Sequence, residues 1–222
     1  EYRHLFPTLF FETFYLTRNI EDQSVYSAYK IDNNLKFRLI EFRSGIKLPI
    51  YGTELEIYGS WSRYRASIKE NIIGQPQMQS GIAYDYFNGK KLGFDWKLKR
   101  YKRRVDQNIN PVGFNLNLSL ANEWNEFIDG IDLSNSGTLI SKFKDHNLIR
   151  GNITGQYLQE IPGSNRWTIS AKGQLGWISD AEVDSFFHFF GGGMPGLKGY
   201  PYYSIEGSNM MIYDLGVRIP LF

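Results

Sequence analysis

The chain of 222 residues carries 25 basic and 23 acidic residues, three histidines and no cysteine. Without a thiol there is no disulfide framework, thiolate zinc site, iron–sulfur cluster or cysteine nucleophile. The near-balanced charge concentrates no basic face for a polyanion, which argues against nucleic acid. Aromatic residues reach 16% although hydrophobic residues total only 42%. No apolar run of roughly 18 residues exists to cross a bilayer as a helix, but that test does not see barrels. A membrane strand alternates lipid-facing and lumen-facing residues, so it averages to neutral while its girdles raise the aromatic count.

In chain order, strands are predicted at 9–17, 35–48, 53–66 and 79–87, with a further short one near 24–31. Asn88-Gly89 reads as a two-residue hairpin turn. From 90 to 104, Leu92, Phe94, Trp96 and Leu98 alternate with Lys91, Asp95, Lys97 and Lys99. Residues 112–124 repeat the design, with Phe114, Leu116, Leu118, Leu120 and Trp124 against Asn115, Asn117, Ser119 and Glu123. A long connection over 125–147 and a weaker strand at 148–161 precede a tight turn at Pro162-Gly163-Ser164-Asn165. In 166–178, Trp167, Ile169, Ala171, Leu175 and Trp177 oppose Thr168, Ser170, Lys172 and Gln174. A second long connection spans about 179–207. The last strand, 208–221, sets Met211, Tyr213, Leu215, Val217, Ile219 and Leu221 against Asp214 and Arg218.

That makes nine or ten strands and no helix, since no segment keeps an apolar stripe at i, i+3, i+4, i+7 over three turns. The fold class is all-β and antiparallel. Alternation alone also fits a soluble sandwich or a lipocalin-like barrel. Strands longer than the usual five or six residues, with Lys, Asp, Asn and Gln recurring on one face, favour a transmembrane β-barrel.

The stretch Phe186-Phe187-His188-Phe189-Phe190-Gly191-Gly192-Gly193-Met194-Pro195-Gly196-Leu197-Lys198-Gly199-Tyr200 is followed by a strand ending Arg218-Ile219-Pro220-Leu221. In order and spacing it resembles the BamA-type superfamily, which includes the BamA and TamA assembly factors, two-partner secretion transporters and organelle import barrels. There an aromatic-Gly-Gly element ends a strand, a long loop returns into the lumen with a Val-Arg-Gly-aromatic motif, and a strand ending Arg-Phe-Pro-Leu follows. The resemblance implies a bacterial outer-membrane barrel that inserts or exports polypeptides, with no active site or cofactor. Its implied partners are outer-membrane lipid, lipopolysaccharide, client polypeptides and accessory assembly proteins. It also implies that residues 1–222 are an interior portion of one larger barrel domain of about sixteen strands, with more strands after Phe222. A terminal Phe is equally the mark of an outer-membrane assembly signal, which leaves a smaller barrel open. Pro220 weighs mildly against that, because the lost N–H would weaken closure.

Within the motif, Gly196 and Gly199 are suited to close backbone approach or positive φ, and Tyr200 to packing its ring against the wall. Lys198 stands where the family has Arg and lacks the planar bidentate fork. Three weaker patterns carry less. Gly191-Gly192-Gly193-Met194-Pro195-Gly196 formally fits G-x-G-x-x-G, but Pro195, Pro201 and the strand that follows exclude the helix a dinucleotide site needs. The basic run Lys97, Lys99, Arg100, Lys102, Arg103, Arg104 reads as a lumen wall and interface rim, with lipid phosphate as a minor reading. His4, His146 and His188 are scattered, which argues against a metal site. Asp85, Asp95, Glu123, Glu206 and Asp214 lack any nucleophile motif and read as lumen and loop groups. Two further roles stay open: a channel plugged by the loop, and an anchor for a soluble domain.

Overall fold

The computed structural model describes the chain apart from residues 1–5, 27–28, 73–78, 103–110, 134–138, 164–166, 181, 184, 194–196, 198, 203 and 220–222. Among the described residues ten strands form: β1 (Thr8–Tyr26), β2 (Tyr29–Ile50), β3 (Thr53–Ile72), β4 (Gln79–Tyr101), β5 (Gly113–Leu133), β6 (Leu139–Glu160), β7 (Thr168–Ile178), β8 (Phe189–Gly191), β9 (Ile205–Gly207) and β10 (Asn209–Arg218). Eight of them make one antiparallel sheet in the order β1-β2-β3-β4-β5-β6-β7-β10, while β8 and β9 pair separately. The sheet does not close on itself: β1 and β10 are its two edges.

Period-two patterning gives each strand two unlike faces. On one lie Glu12, Arg43, Glu56, Asp95, Glu123 and Arg150. On the other lie Leu9, Phe11, Ile57, Leu92, Leu120, Ile153, Leu175, Met211 and Leu215, all exposed, up to 77% for Leu9. Folding normally hides such residues, so an apolar face open across all eight strands is the molecule's main anomaly.

This apolar span runs obliquely. The partner row through Gly173, the middle of the outward residues 169–177, passes Gly155, Leu116, Leu98 and Thr53 to Ile50. On β2 the middle of the outward residues 40–48 is Ser44, so the span slips six residues across five strand pairs. At about 3.3 Å per residue and about 4.8 Å between strands, the strands stand about 40° from the normal to that span.

Several expectations need correction. Asn88-Gly89 is no turn, and 79–87 with 90–104 form the single strand β4, in which Gly89 pairs with Ser62 and Asn125. Glycine serves there for close approach, since a Cβ would lie 2.6 Å from the Phe87 ring and 2.8 Å from Asn125 Oδ1. The predicted short strand near 24–31 is instead the meeting of β1 and β2, whose register runs to Tyr26 and Tyr29. The long connection over 125–147 is largely strand, because β5 and β6 stay paired from Asn125 and His146 to Leu133 and Leu139. Apolar residues there are adjacent rather than alternate, as in Phe127-Ile128 and Leu139-Ile140, and a bulge shifts the register after Ile128, so period two could not announce it. Conversely, the 179–207 segment contains β8, β9 and a 3-10 turn at Ser185–Phe187.

One hairpin turn follows its chemistry. Tyr51 and Gly52 both take positive φ, 43° and 80°, as a two-residue hairpin requires, and Thr53 Oγ1 donates to Ile50 O at 2.7 Å. Bulges leave Tyr86 of β4 and Asp129 of β5 without an opposite residue, which sharpens local twist.

Candidate functional site

The segment between β7 and β10 folds against the polar face. It leaves β7 with Ser179 N donating to Ile149 O and Ile149 N donating to Ser179 Oγ, both at 2.9 Å. Val183 and Phe187 then enter the one buried apolar cluster among the described residues, with Phe87, Leu148 and Ile178. The Phe187 ring lies 5.7 Å from that of Phe87, 5.8 Å from Phe127 and 5.9 Å from His146. Such tilted and edge-on pairs add about 0.5–1.5 kcal/mol each beyond their burial.

One cation ties the segment to the wall. Arg150, on β6, donates from Nη2 to Phe187 O at 2.8 Å and from Nε to Glu123 Oε1 at 3.1 Å. Its guanidinium also stands 5.2 Å from the centre of the Phe189 ring. Glu123 is 4% exposed and further satisfied by Lys91 Nζ at 3.1 Å and Asn125 Nδ2 at 3.2 Å. A buried carboxylate with two cations and an amide donor is a fully compensated charge. Gly176 completes the seat: a Cβ there would lie 2.9 Å from the Phe189 ring.

The motif residues lie farther along. Gly192 and Gly193 take positive φ, 110° and 83°, and Gly199 takes 93°. Gly193 N donates to Tyr200 O at 3.0 Å and Tyr200 N to Leu197 O at 3.3 Å, which closes the tip. Leu197 is half-buried, whereas Tyr200 is 57% exposed. Arg218 lies opposite Thr168 on the polar face and Ile219 is exposed. Gly196, Lys198, Pro220 and Leu221 lie outside the described residues.

A second network crosses β1 to β4. Arg43 pairs with Glu56, with Asp95 at 3.1 Å and with Glu12 at 3.9 Å, while Lys47 reaches Glu12 and Glu56 at 3.7 Å each. The Arg43 guanidinium lies 3.8 Å above the Tyr58 ring, which can lie flat because Gly93 has no side chain to meet it. Farther along, Lys97 pairs with Glu54 at 3.2 Å and Arg100 donates to Tyr51 O at 3.1 Å. Arg103 and Arg104 lie outside the described residues.

Sequence reasoning missed Arg150 and Arg43 because neither belongs to a motif. Strand parity could have found them, since both fall on the face that carries Glu123 and Asp95. Among the described residues no His, Asp and Glu group is arranged to hold a metal ion. Comparison with family models, curated proteins and solved structures finds no match to this chain.

Proposed function

We propose that this chain is part of a BamA-type barrel of the bacterial outer membrane, which inserts or exports polypeptides. The observation that carries the reading is the two-faced sheet: an apolar face open on all eight strands, and a polar face on which Val183, Phe187 and Phe189 are seated. Aromatics bracket the apolar span, with Trp167 just before β7 and Trp177 near its end, and Phe114 and Trp124 on β5, as lipid-water girdles do. The oblique run of about 40° matches the strand tilt of outer-membrane barrels. Most strands also continue past the span at the end carrying the 179–207 connection, as extracellular extensions would.

In this reading the outer face contacts lipid and lipopolysaccharide, and client polypeptides and accessory assembly proteins are the partners. No catalytic group or cofactor is required. The seated segment, with Gly199 and Tyr200 at its tip and Lys198 between them and Leu197 in sequence, holds the lumen side rigid. In proteoliposomes, Lys198→Ala should lower the yield of folded client or abolish heat-modifiable gel mobility. Full activity with unchanged mobility would sink the role.

The seated segment also favours a second reading, a plugged channel. Deleting residues 186–207 should then raise single-channel conductance; unaltered conductance with lost client folding supports the assembly role.

A further inference from the structure

Where the apolar span ends on the outer face, two adjacent partner rows change character. The first row is Trp61, Lys90, Trp124 and Asn147, and the next is Arg63, Asn88, Glu126 and Asp145. Together they line a cavity of about 500 Å³. Trp61 is held by stacking on Phe42, at 5.7 Å between ring centres, and Arg63 by its ion pair with Asp85. The others are unengaged: Asn88, Lys90, Glu126, Asp145 and Asn147 make no side-chain hydrogen bond or ion pair among the described residues. Lys90 and the two carboxylates line the same cavity with opposite sign, yet they do not pair with one another.

Two indole faces beside amides, carboxylates and a free ammonium match the chemistry of a sugar. A pyranose presents an apolar C–H face that stacks on an aromatic ring, and hydroxyls that both donate and accept. Lys90 adds a point charge suited to a phosphate on that sugar. The mixed charge does not suit a bare polyanion. The cavity also opens directly above the apolar span, because Trp61 and Trp124 continue the outward series of Ile57 and Leu120. A ligand there can place hydrocarbon below and polar groups above.

We propose that this outer-face cavity binds the saccharide headgroup of a glycolipid whose acyl chains lie on the apolar span. The inference rests on reading that span as lipid-facing. The full chain in detergent micelles would be titrated with rough lipopolysaccharide, with its deacylated oligosaccharide and with phosphatidylglycerol. Binding of the lipopolysaccharide should be at least about tenfold tighter than of the other two. Trp124→Ala should erase that preference, and so should Glu126→Gln combined with Asp145→Asn, which removes charge without removing volume and decides the matter if the Trp variant fails to fold. Equal affinity for phosphatidylglycerol, or a preference that survives the paired variant, overturns the site. Oligosaccharide binding as tight as that of the intact glycolipid overturns the lipid occupant. Flotation with phospholipid vesicles separates the two levels: a chain that floats but ignores lipopolysaccharide refutes only this inference, and one that does not float refutes the membrane reading with it.

Discussion

Arg150 shows how much one side chain settles. It serves a buried carboxylate, a backbone carbonyl and an aromatic face, three partners that belong to different parts of the chain. Arg150→Ala leaves Glu123 with Lys91 and Asn125 but removes the guanidinium donor from Phe187 O. The expected loss is about 2 kcal/mol, read as a lower urea midpoint together with new protease cleavage between residues 179 and 208. Arg150→Lys keeps the charge but cannot span carbonyl and carboxylate together, so it should fall between. Gly176→Ala tests the same seat from the wall, since its methyl would force the Phe189 ring aside. Gly130→Ala, where nothing lies within 4 Å, is its control. Equal protease sensitivity of the two glycine variants would refute the seat.

Strands were legible in the sequence wherever their two faces differ. Residues 166–178 and 112–124 alternate cleanly, and the faces observed over 168–178 and 113–124 match. Past Trp124 the pattern fades: Asn125, Glu126, His146 and Asn147 are polar on either side, and pairing there follows from continuation of the ladder rather than from burial. The same fading, with a glycine that serves a close approach, made Asn88-Gly89 resemble a turn. The seating of residues 179–207 was legible only as a motif, because its contacts join residues far apart in sequence. Inserting one glycine after Asn88 should flip the faces of β4 beyond that point and abolish the heat-shifted gel band. The same insertion after Gly163, in a turn where a Cβ meets nothing, should leave the band intact. Tolerance at position 88 would mean that β4 is not continuous.

For the molecule as a whole, the open apolar face must meet something other than water. If that is lipid, depth rather than exposure sets the cost of a charge. Leu175→Lys and Ile57→Lys, both in the apolar span, should each cost about 2–4 kcal/mol of folding stability in bilayers. Ile131→Lys, at a residue on the same face and as exposed as these but near the far end of β5, should cost almost nothing. Equal penalties at all three, measured by urea titration in phospholipid vesicles, would show that exposure alone matters.

The seated segment also limits how the wall can close. With strands about 4.8 Å apart and inclined by about 40°, eight of them encircle only about 50 Å, a ring about 8 Å in radius. Side chains alone fill a ring that small, whereas this one would also have to enclose the β8-β9 ribbon and its aromatic anchor. A wall that closes around its own loop therefore draws on more staves than these eight.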